Sequence, residues 1–522
     1  MRRNKYIYIT LLAVLSFNAE GAVAQDSIRY APRLIVNITI DQLRTDYLEA
    51  FAPVFGKDGF KRLFREGLVY ENASYPFTKI DRASAISSVI TGVSPYYHSI
   101  VGEKWLDKES LRPVGCTEDI KQPGVPSPTQ LMVSTLGDEL KVATDGAAKI
   151  FAISPTPDAA VLAAGHAADG AFWIDDRTGL WTGSKYYSNE IPQFLLAFNE
   201  LQSPSAKIQK AVWQPAHEVA GTFNYYQHIG NQKPFKHTFK GERKFIEYKT
   251  SGLINADITE LAQQCVINQT MGYDRVTDLL CLTYYAGNYD HKAMTDCQME
   301  LQDTYMRLDQ ELGRLMMALE EKLGKEHVMF VLTSTGYSDA ESTDYGKYRI
   351  PTGVFYINRT ANLLNMYFGA IWGQGRYVET CFGNEIYLNH KLLESKRISL
   401  TDATQRAQEF ISQMSGVRNV YTFLQLLGGN NQQIYKIRNG FNPEHNGDIL
   451  IEVSPGWEMQ NENTQEKQLS RASFTQFPLI IYGAGTKSER VKTPITIDRI
   501  APTIAKTIRI RAPNACSSEP LF

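Results

Sequence analysis

Two stretches of the chain carry residues that could do chemistry. In the first, Leu34-Ile35-Val36-Asn37-Ile38-Thr39-Ile40 reads as a strand rich in β-branched residues with no charge on either face, and Asp41 stands at its C-terminal end. Open α/β sheets bind their ligands at that end of their strands, so Asp41 is a candidate ligand-binding group. The second stretch runs from Thr78 to Trp105, TKIDRASAISSVITGVSPYYHSIVGEKW. Its pattern predicts a turn, a small-residue helix over Ala83 to Ile90, a Thr91-Gly92 stop and a loop bounded by Pro95. In several hydrolase folds a strand hands over to the catalytic helix through a segment of this outline, so the chemistry it suggests is hydrolysis.

The elements that must position these residues follow a βαβ rhythm. A short helix after Asp41, a break at Gly56 and Gly59 and a second helix through Phe64 lead to the strand Gly67-Leu68-Val69-Tyr70, which implies helices on both faces of a sheet. Further apolar runs extend the sheet pattern: Ile150 to Ser154, Leu279 to Tyr285, Val328 to Thr333, Gly353 to Ile357, Ile449 to Val453 and Pro478 to Tyr482. A long amphipathic helix is predicted over Asp303 to Lys322. Two polar regions depart from this rhythm. Residues 155–270 hold Trp173, Trp181 and the run Phe223-Asn224-Tyr225-Tyr226, and residues 362–446 hold a helix starting near Thr401 and the loop Gly428-Gly429-Asn430-Asn431. The expectation is one α/β domain over residues 25–522, with a mostly parallel central sheet covered by helices on both faces and cap-like insertions near 155–270 and 362–446.

A chain of 522 residues, 43% hydrophobic and 21% charged, is long enough to bury a large core. Its formal charge of -2 gives no reason to expect nucleic acid or an acidic membrane as a partner. At the N-terminus, Arg2, Arg3 and Lys5 precede an apolar run from Ile7 to Phe17 and the small-x-small signal Ala22-Val23-Ala24. This predicts a signal peptide over residues 1–24 and a periplasmic or secreted product with no transmembrane segment in the mature chain. Six cysteines, at 116, 265, 281, 297, 381 and 516, would then enter an oxidising compartment. Their spacing matches no CxxC zinc pattern; one or two disulfides, or buried free thiols such as Cys281, both fit it.

Taken in order, several motifs resemble the alkaline phosphatase superfamily, in its branch of exported bacterial alkaline phosphatases related to type I phosphodiesterases and nucleotide pyrophosphatases. They are Ile40-Asp41-Gln42-Leu43-Arg44-Thr45-Asp46-Tyr47-Leu48, Ile90-Thr91-Gly92-Val93-Ser94-Pro95 with His98, Thr135-Leu136-Gly137-Asp138, Gly165-His166-Ala167-Ala168-Asp169-Gly170, Asp303-Thr304-Tyr305 and Ile500-Ala501-Pro502-Thr503. The resemblance spans nearly the whole mature chain. It implies two zinc ions, a Thr or Ser nucleophile and about six carboxylate and imidazole ligands around a phosphate ester.

Carried over position by position, the resemblance finds few of those groups. Asp41 stands where the first ligand belongs. The nucleophile position falls on Arg82, whose guanidinium stays protonated and is not nucleophilic, and a neighbouring histidine position falls on Ile86. The next two ligand positions fall on Asn288 and Lys292, an Asp-His pair on Ser334 and Thr335, and a last histidine near Lys467. An ammonium repels a dication, and an amide or hydroxyl holds zinc weakly. Phosphate-contacting positions fall on Glu103, Thr156 and Asp158, so two carboxylates stand where donors should be.

Three functions follow from this pattern. One is a catalytically degenerate member that binds an envelope protein or small ligand, with no cofactor, in which Asp41 pairs with Arg82 or Lys292. The second is an active zinc-dependent phosphomonoesterase or phosphodiesterase with relocated ligands among Asp290, His291, Asp296 and Asp339, and Thr78, Ser84 or Ser87 as nucleophile. The third is a glycan- or peptide-binding envelope protein using Trp173, Trp181, Phe223, Tyr225 and Tyr226, although aromatics at this density more often form a core.

Overall fold

The computed structural model describes residues 31–216, 235–339, 345–464 and 475–522, with the backbone alone of 466–467 and 471–472. The predicted signal peptide, Phe223, Tyr225, Tyr226 and the Lys467 side chain lie outside the described residues. A ten-stranded, mostly parallel sheet forms the centre. In chain order its strands are β1 (Leu34–Asp41), β2 (Leu68–Ser74), β3 (Ile150–Ile153), β4 (Gly170–Ile174), β5 (Trp181–Gly183), β6 (Asp278–Tyr285), β7 (Val328–Ser334), β8 (Phe477–Gly483), β9 (Glu489–Val491) and β10 (Ile495–Thr496). Their spatial order is β9-β2-β8-β7-β1-β6-β3-β4-β5, with β10 also on β2. Strand β8 runs antiparallel to both β7 and β2, and β5 antiparallel to β4.

β1 lies at the middle of this sheet, in register with β6 on one side and β7 on the other, Asp41 facing Tyr285 and Ile40 facing Ser334. All eight of its residues are buried, which is why the sequence shows an apolar run without polar alternation. Leu34, Val36, Ile38 and Ile40 enter one apolar layer with the helices α4 (Ile254–Asn268) and α5 (Gln298–Leu323). Ile35 enters the opposite layer with α1 (Arg82–Thr91), α2 (Leu136–Ala143) and α3 (Pro157–Ala164). Successive side chains of a strand point to opposite faces, so Asp41 shares the α1 face with Ile35.

A second unit carries its own apolar cluster around Leu364, Phe368, Ile386 and Ile449. It holds a four-stranded antiparallel sheet (Val378–Phe382, Glu385–Leu388, Val417–Thr422, Ile449–Val453) and a smaller sheet containing Gly353–Tyr356 and Trp457–Asn461. The runs Gly353–Ile357 and Ile449–Val453, predicted for the central sheet, therefore belong here; an apolar run specifies burial, not which sheet buries it. At the other predicted insertion, residues 157–183 supply α3, β4 and β5 to the central layers. Trp173 and Trp181 are buried there, so they form core and not an exposed contact surface. All six cysteines are free thiols, Cys281 buried within β6; no disulfide forms. No helix among the described residues is long and apolar enough to cross a membrane.

Candidate functional site

α1 begins one residue before its predicted start because Asp81 caps it. The Asp81 carboxylate accepts from the Ser84 backbone N–H at 2.9 Å, and the Ser84 hydroxyl accepts from the Asp81 N–H at 3.0 Å. This capping box satisfies two orphan donors of the first turn and sets Arg82 at the first helical position. The second Asp81 oxygen accepts from the Glu103 N–H at 2.6 Å, docking the following loop beside it. At the other end Gly92, at φ 70°, stops the helix; a β-carbon there would lie 2.8 Å from the Cys516 sulfur. Ile86 faces the apolar layer, 2% exposed.

From this position the Arg82 guanidinium reaches three carboxylates. Its Nε lies 2.7 Å from Asp158 Oδ2 and its Nη2 3.3 Å from Asp158 Oδ1. Nη1 lies 3.4 Å from Asp41 Oδ2, and Nη2 3.7 Å from Glu103 Oε1. Burial opposes the charge on Arg82, but Asp158, Glu103 and Asp41 outweigh it and hold its pKa well above the ordinary arginine range. Burial likewise opposes the Asp158 carboxylate, and Arg82 reverses that and lowers its pKa. Asp158 also sits in the first turn of α3, where the helix dipole favours an anion. The carboxylates at positions 103 and 158, expected to repel phosphate, here enclose an arginine.

The other Asp41 oxygen accepts from the Thr335 hydroxyl at 3.0 Å, and that hydroxyl in turn accepts from the Gln42 N–H at 2.9 Å. Gln42 is left-handed, at φ 63°, so the chain turns sharply as it leaves β1. The Ser334 hydroxyl donates to the Leu43 carbonyl at 2.7 Å and the Ser334 carbonyl accepts from Tyr75 at 2.8 Å. Asn288 is buried and donates to the Lys292 carbonyl at 2.9 Å. Lys292 is exposed, its ammonium 4.9 Å from the Tyr289 ring centre. Of the two cations proposed for Asp41, Arg82 makes the pair and Lys292 turns away onto an aromatic face. Thr156 precedes α3 as its cap residue without a side-chain cap bond.

A cavity of about 170 Å³ joins these groups, with Asp41, Arg82, Thr156, Lys249, Tyr285 and His291 in its wall. Lys249 is 7% exposed and pairs with Asp176. Burial pushes its pKa down, Asp176 opposes that, and Arg82 adds to it. Neither Lys249 nor Asp176 is legible in the sequence, because neither lies in a motif or at a helical or strand spacing from Asp41. The Asp81-x-x-Ser84 cap was a readable signal.

Of the four relocated-ligand candidates, His291 and Asp339 meet each other, while Asp290 and Asp296 are engaged or exposed elsewhere. His291 Nδ1 lies 3.0 Å from Asp339 Oδ2, and that contact, more than burial opposes it, raises the His291 pKa. Asp290 pairs with Arg243 at 2.8 Å and Asp296 is exposed. Ser84 is held in the capping box, Ser87 is fully buried in α1 and Thr78 is half-buried; none lines the cavity.

The donor set does not suit a pair of zinc ions. Asp41, the one carboxylate at an expected ligand position, is engaged by a guanidinium and a hydroxyl, and a dication entering there would meet the Arg82 charge. Among the described residues no group of three or more His, Cys, Asp or Glu side chains is arranged to hold a metal.

Residues 35–474 match the family model described as type I phosphodiesterase / nucleotide pyrophosphatase. Alkaline phosphatase PhoV of Synechococcus elongatus is 26% identical, the match covering 92% of this chain and 91% of that protein. Alkaline phosphatase PafA of Elizabethkingia meningoseptica is also 26% identical, covering 94% of each. The crystal structure of wild-type PafA superposes with a TM-score of 0.79 at 25% identity, over 94% of this chain and 98% of that one.

Proposed function

The chain belongs to the type I phosphodiesterase / nucleotide pyrophosphatase family, within the alkaline phosphatase superfamily, and from that premise we propose that it is a catalytically degenerate member. Its retained fold serves binding or scaffolding in the periplasm or outside the cell, as a single domain with inserted units and without a metal cofactor. One observation carries this reading: Arg82, which the resemblance puts at the nucleophile position, pairs with both Asp41 and Asp158. A carboxylate buried without a counter-charge costs several kcal/mol or takes up a proton. The guanidinium supplies that counter-charge, and it offers no lone pair to phosphorus.

The test is hydrolysis of an aryl phosphate by the purified protein with zinc added and with zinc chelated. The degenerate reading predicts rates indistinguishable from the protein-free control in both.

A second reading is supported by the names of the relatives, which are alkaline phosphatases, and by His291, which sits beside Asp339 on the same cavity as Asp41. It makes the protein a metal-dependent phosphoric ester hydrolase with zinc held by relocated ligands. Hydrolysis that zinc restores, a chelator abolishes and His291→Ala eliminates would establish it in place of the first.

A further inference from the structure

The motifs Thr135-Leu136-Gly137-Asp138 and Gly165-His166 play no part in the degenerate pocket, yet they meet in space. His166 Nδ1 lies 2.8 Å from Asp138 Oδ2, and His166 Nε2 lies 2.9 Å from the Leu131 carbonyl oxygen. A carbonyl can only accept. The Asp138 carboxylate already accepts three backbone N–H groups, from Thr135, His166 and Ala167, each at 2.8 Å, so it is ionised and also only accepts. A neutral imidazole has one N–H and cannot donate in both directions. His98 shows the opposite case in the same layer: its Nδ1 accepts from the Ile100 N–H at 3.1 Å, leaving Nε2 to donate to the Ser88 hydroxyl at 2.9 Å, a neutral ring.

We propose that His166 is a pH-sensitive latch: as the imidazolium it pins residues 131–133 to the start of α2, and on losing its proton it releases them. Burial lowers the His166 pKa, but the Asp138 carboxylate outweighs it and the net direction is upward. Burial raises that of Asp138, and His166 and the backbone donors outweigh it downward. The latch therefore holds between the folded-state pKa of Asp138 below and that of His166 above, and opens as pH rises through the latter. The other charged and titratable groups of the surrounding elements are otherwise engaged or peripheral. Lys141 pairs with Asp169 at 2.8 Å, Glu139 accepts from Ser134 at 2.6 Å with Arg511 3.9 Å away, and Asp145 is exposed. The phenols of Tyr186 and Tyr187 are pushed up by burial and stay neutral.

The released piece is short because it stays tied on both sides of the Leu131 carbonyl. The Ser99 hydroxyl donates to the Gln130 carbonyl, the Met132 N–H donates to the His98 carbonyl at 3.3 Å, and Ser134 exchanges hydrogen bonds with Asn514 at 3.1 and 2.8 Å. Between them Leu131, Met132 and Val133 line an open groove of about 700 Å³ with Val142, and Met132 is 67% and Val142 75% exposed. Opening the latch changes the shape of that apolar groove and leaves the central sheet intact.

The test uses the full chain from about pH 5 to about pH 9, bracketing the free-histidine value near 6.5. Ring signals of His166 are followed by NMR, identified by their absence in His166→Gln. Amide exchange of residues 129–135 is measured alongside, as protection factors corrected for intrinsic rate. The expected result is a His166 midpoint above free histidine, with protection of 129–135 falling about tenfold or more as pH passes it. Asp138→Asn is expected to move both midpoints down together. If His166→Gln does not fold, Asp138→Asn identifies the signal by its shift. A His166 midpoint at or below free histidine, or protection that does not change across the range, overturns the proposal.

Discussion

Arg82 and Asp158 meet in a two-point contact, Nε 2.7 Å from Oδ2 and Nη2 3.3 Å from Oδ1, between the first turns of two different helices. The same guanidinium reaches Asp41 at the end of the central strand. One cation thus ties β1, α1 and α3 at the C-terminal end of the central strand.

Removing that cation leaves two carboxylates without their shared partner and with little solvent, the Asp41 and Asp158 side chains being 4% and 12% exposed. Arg82→Met is therefore expected to destabilise the protein by about 3–5 kcal/mol, measured as the shift of a denaturant midpoint at unchanged slope. Arg82→Lys keeps the charge but not the fork, so it is expected to fall between the two.

The stabilising effect of Arg82 depends on pH in a defined direction. Asp158 has its folded-state pKa depressed, so its contribution is fully present above the unfolded carboxylate value and is lost as pH falls through the folded value. The stability gap between the unmodified protein and Arg82→Met is expected to narrow on acidification. A gap that stays constant from neutral to strongly acid pH would argue against a charge-based role.

His98 adds a second acid-sensitive element. It is fully buried as a neutral ring, and burial pushes its pKa down from 6.5 to about 3. The unfolded chain binds this proton first, so stability is expected to decline as pH falls from 6.5 towards 3. His98→Gln should flatten that part of the pH–stability curve, read by unfolding at a series of pH values.

The Thr335 hydroxyl is the other support of Asp41 and is buried between it and the Gln42 N–H. Thr335→Val preserves the shape and deletes the hydrogen bonds. It is expected to cost roughly 1–3 kcal/mol, again from denaturant unfolding.

Thiol chemistry checks the packing. Cys116, Cys265, Cys281 and Cys297 are buried, and Cys381 and Cys516 are partly accessible. An alkylating reagent under native conditions is expected to modify Cys381 and Cys516 first, and the four buried thiols only on unfolding. Burial raises the Cys281 pKa to about 12, which slows its reaction further.

The sequence made the centre of the fold legible because β1, β6 and β7 are buried on both faces and so appear as continuous apolar runs. The same signal misassigned Gly353–Tyr356 and Ile449–Val453, whose burial is supplied by the second unit. At the site, Arg82 and Asp158 were singled out through the family resemblance, but their pairing with each other needed the structure. The resemblance set Asp158 against phosphate, whereas its partner is Arg82. Lys249 and Asp176 were invisible for the same reason in stronger form: they reach the cavity from a region with no motif at all.

The guanidinium of Arg82 is proposed to stand in place of the metal pair. The most direct measurement is the zinc content of the purified mature protein after equilibration with excess zinc and removal of the unbound ion. Far less than one zinc per chain is expected, together with more zinc retained by Arg82→Ala than by the unmodified protein. One or two zinc ions per chain in the unmodified protein, removed by a chelator and bound again on addition, would contradict the account.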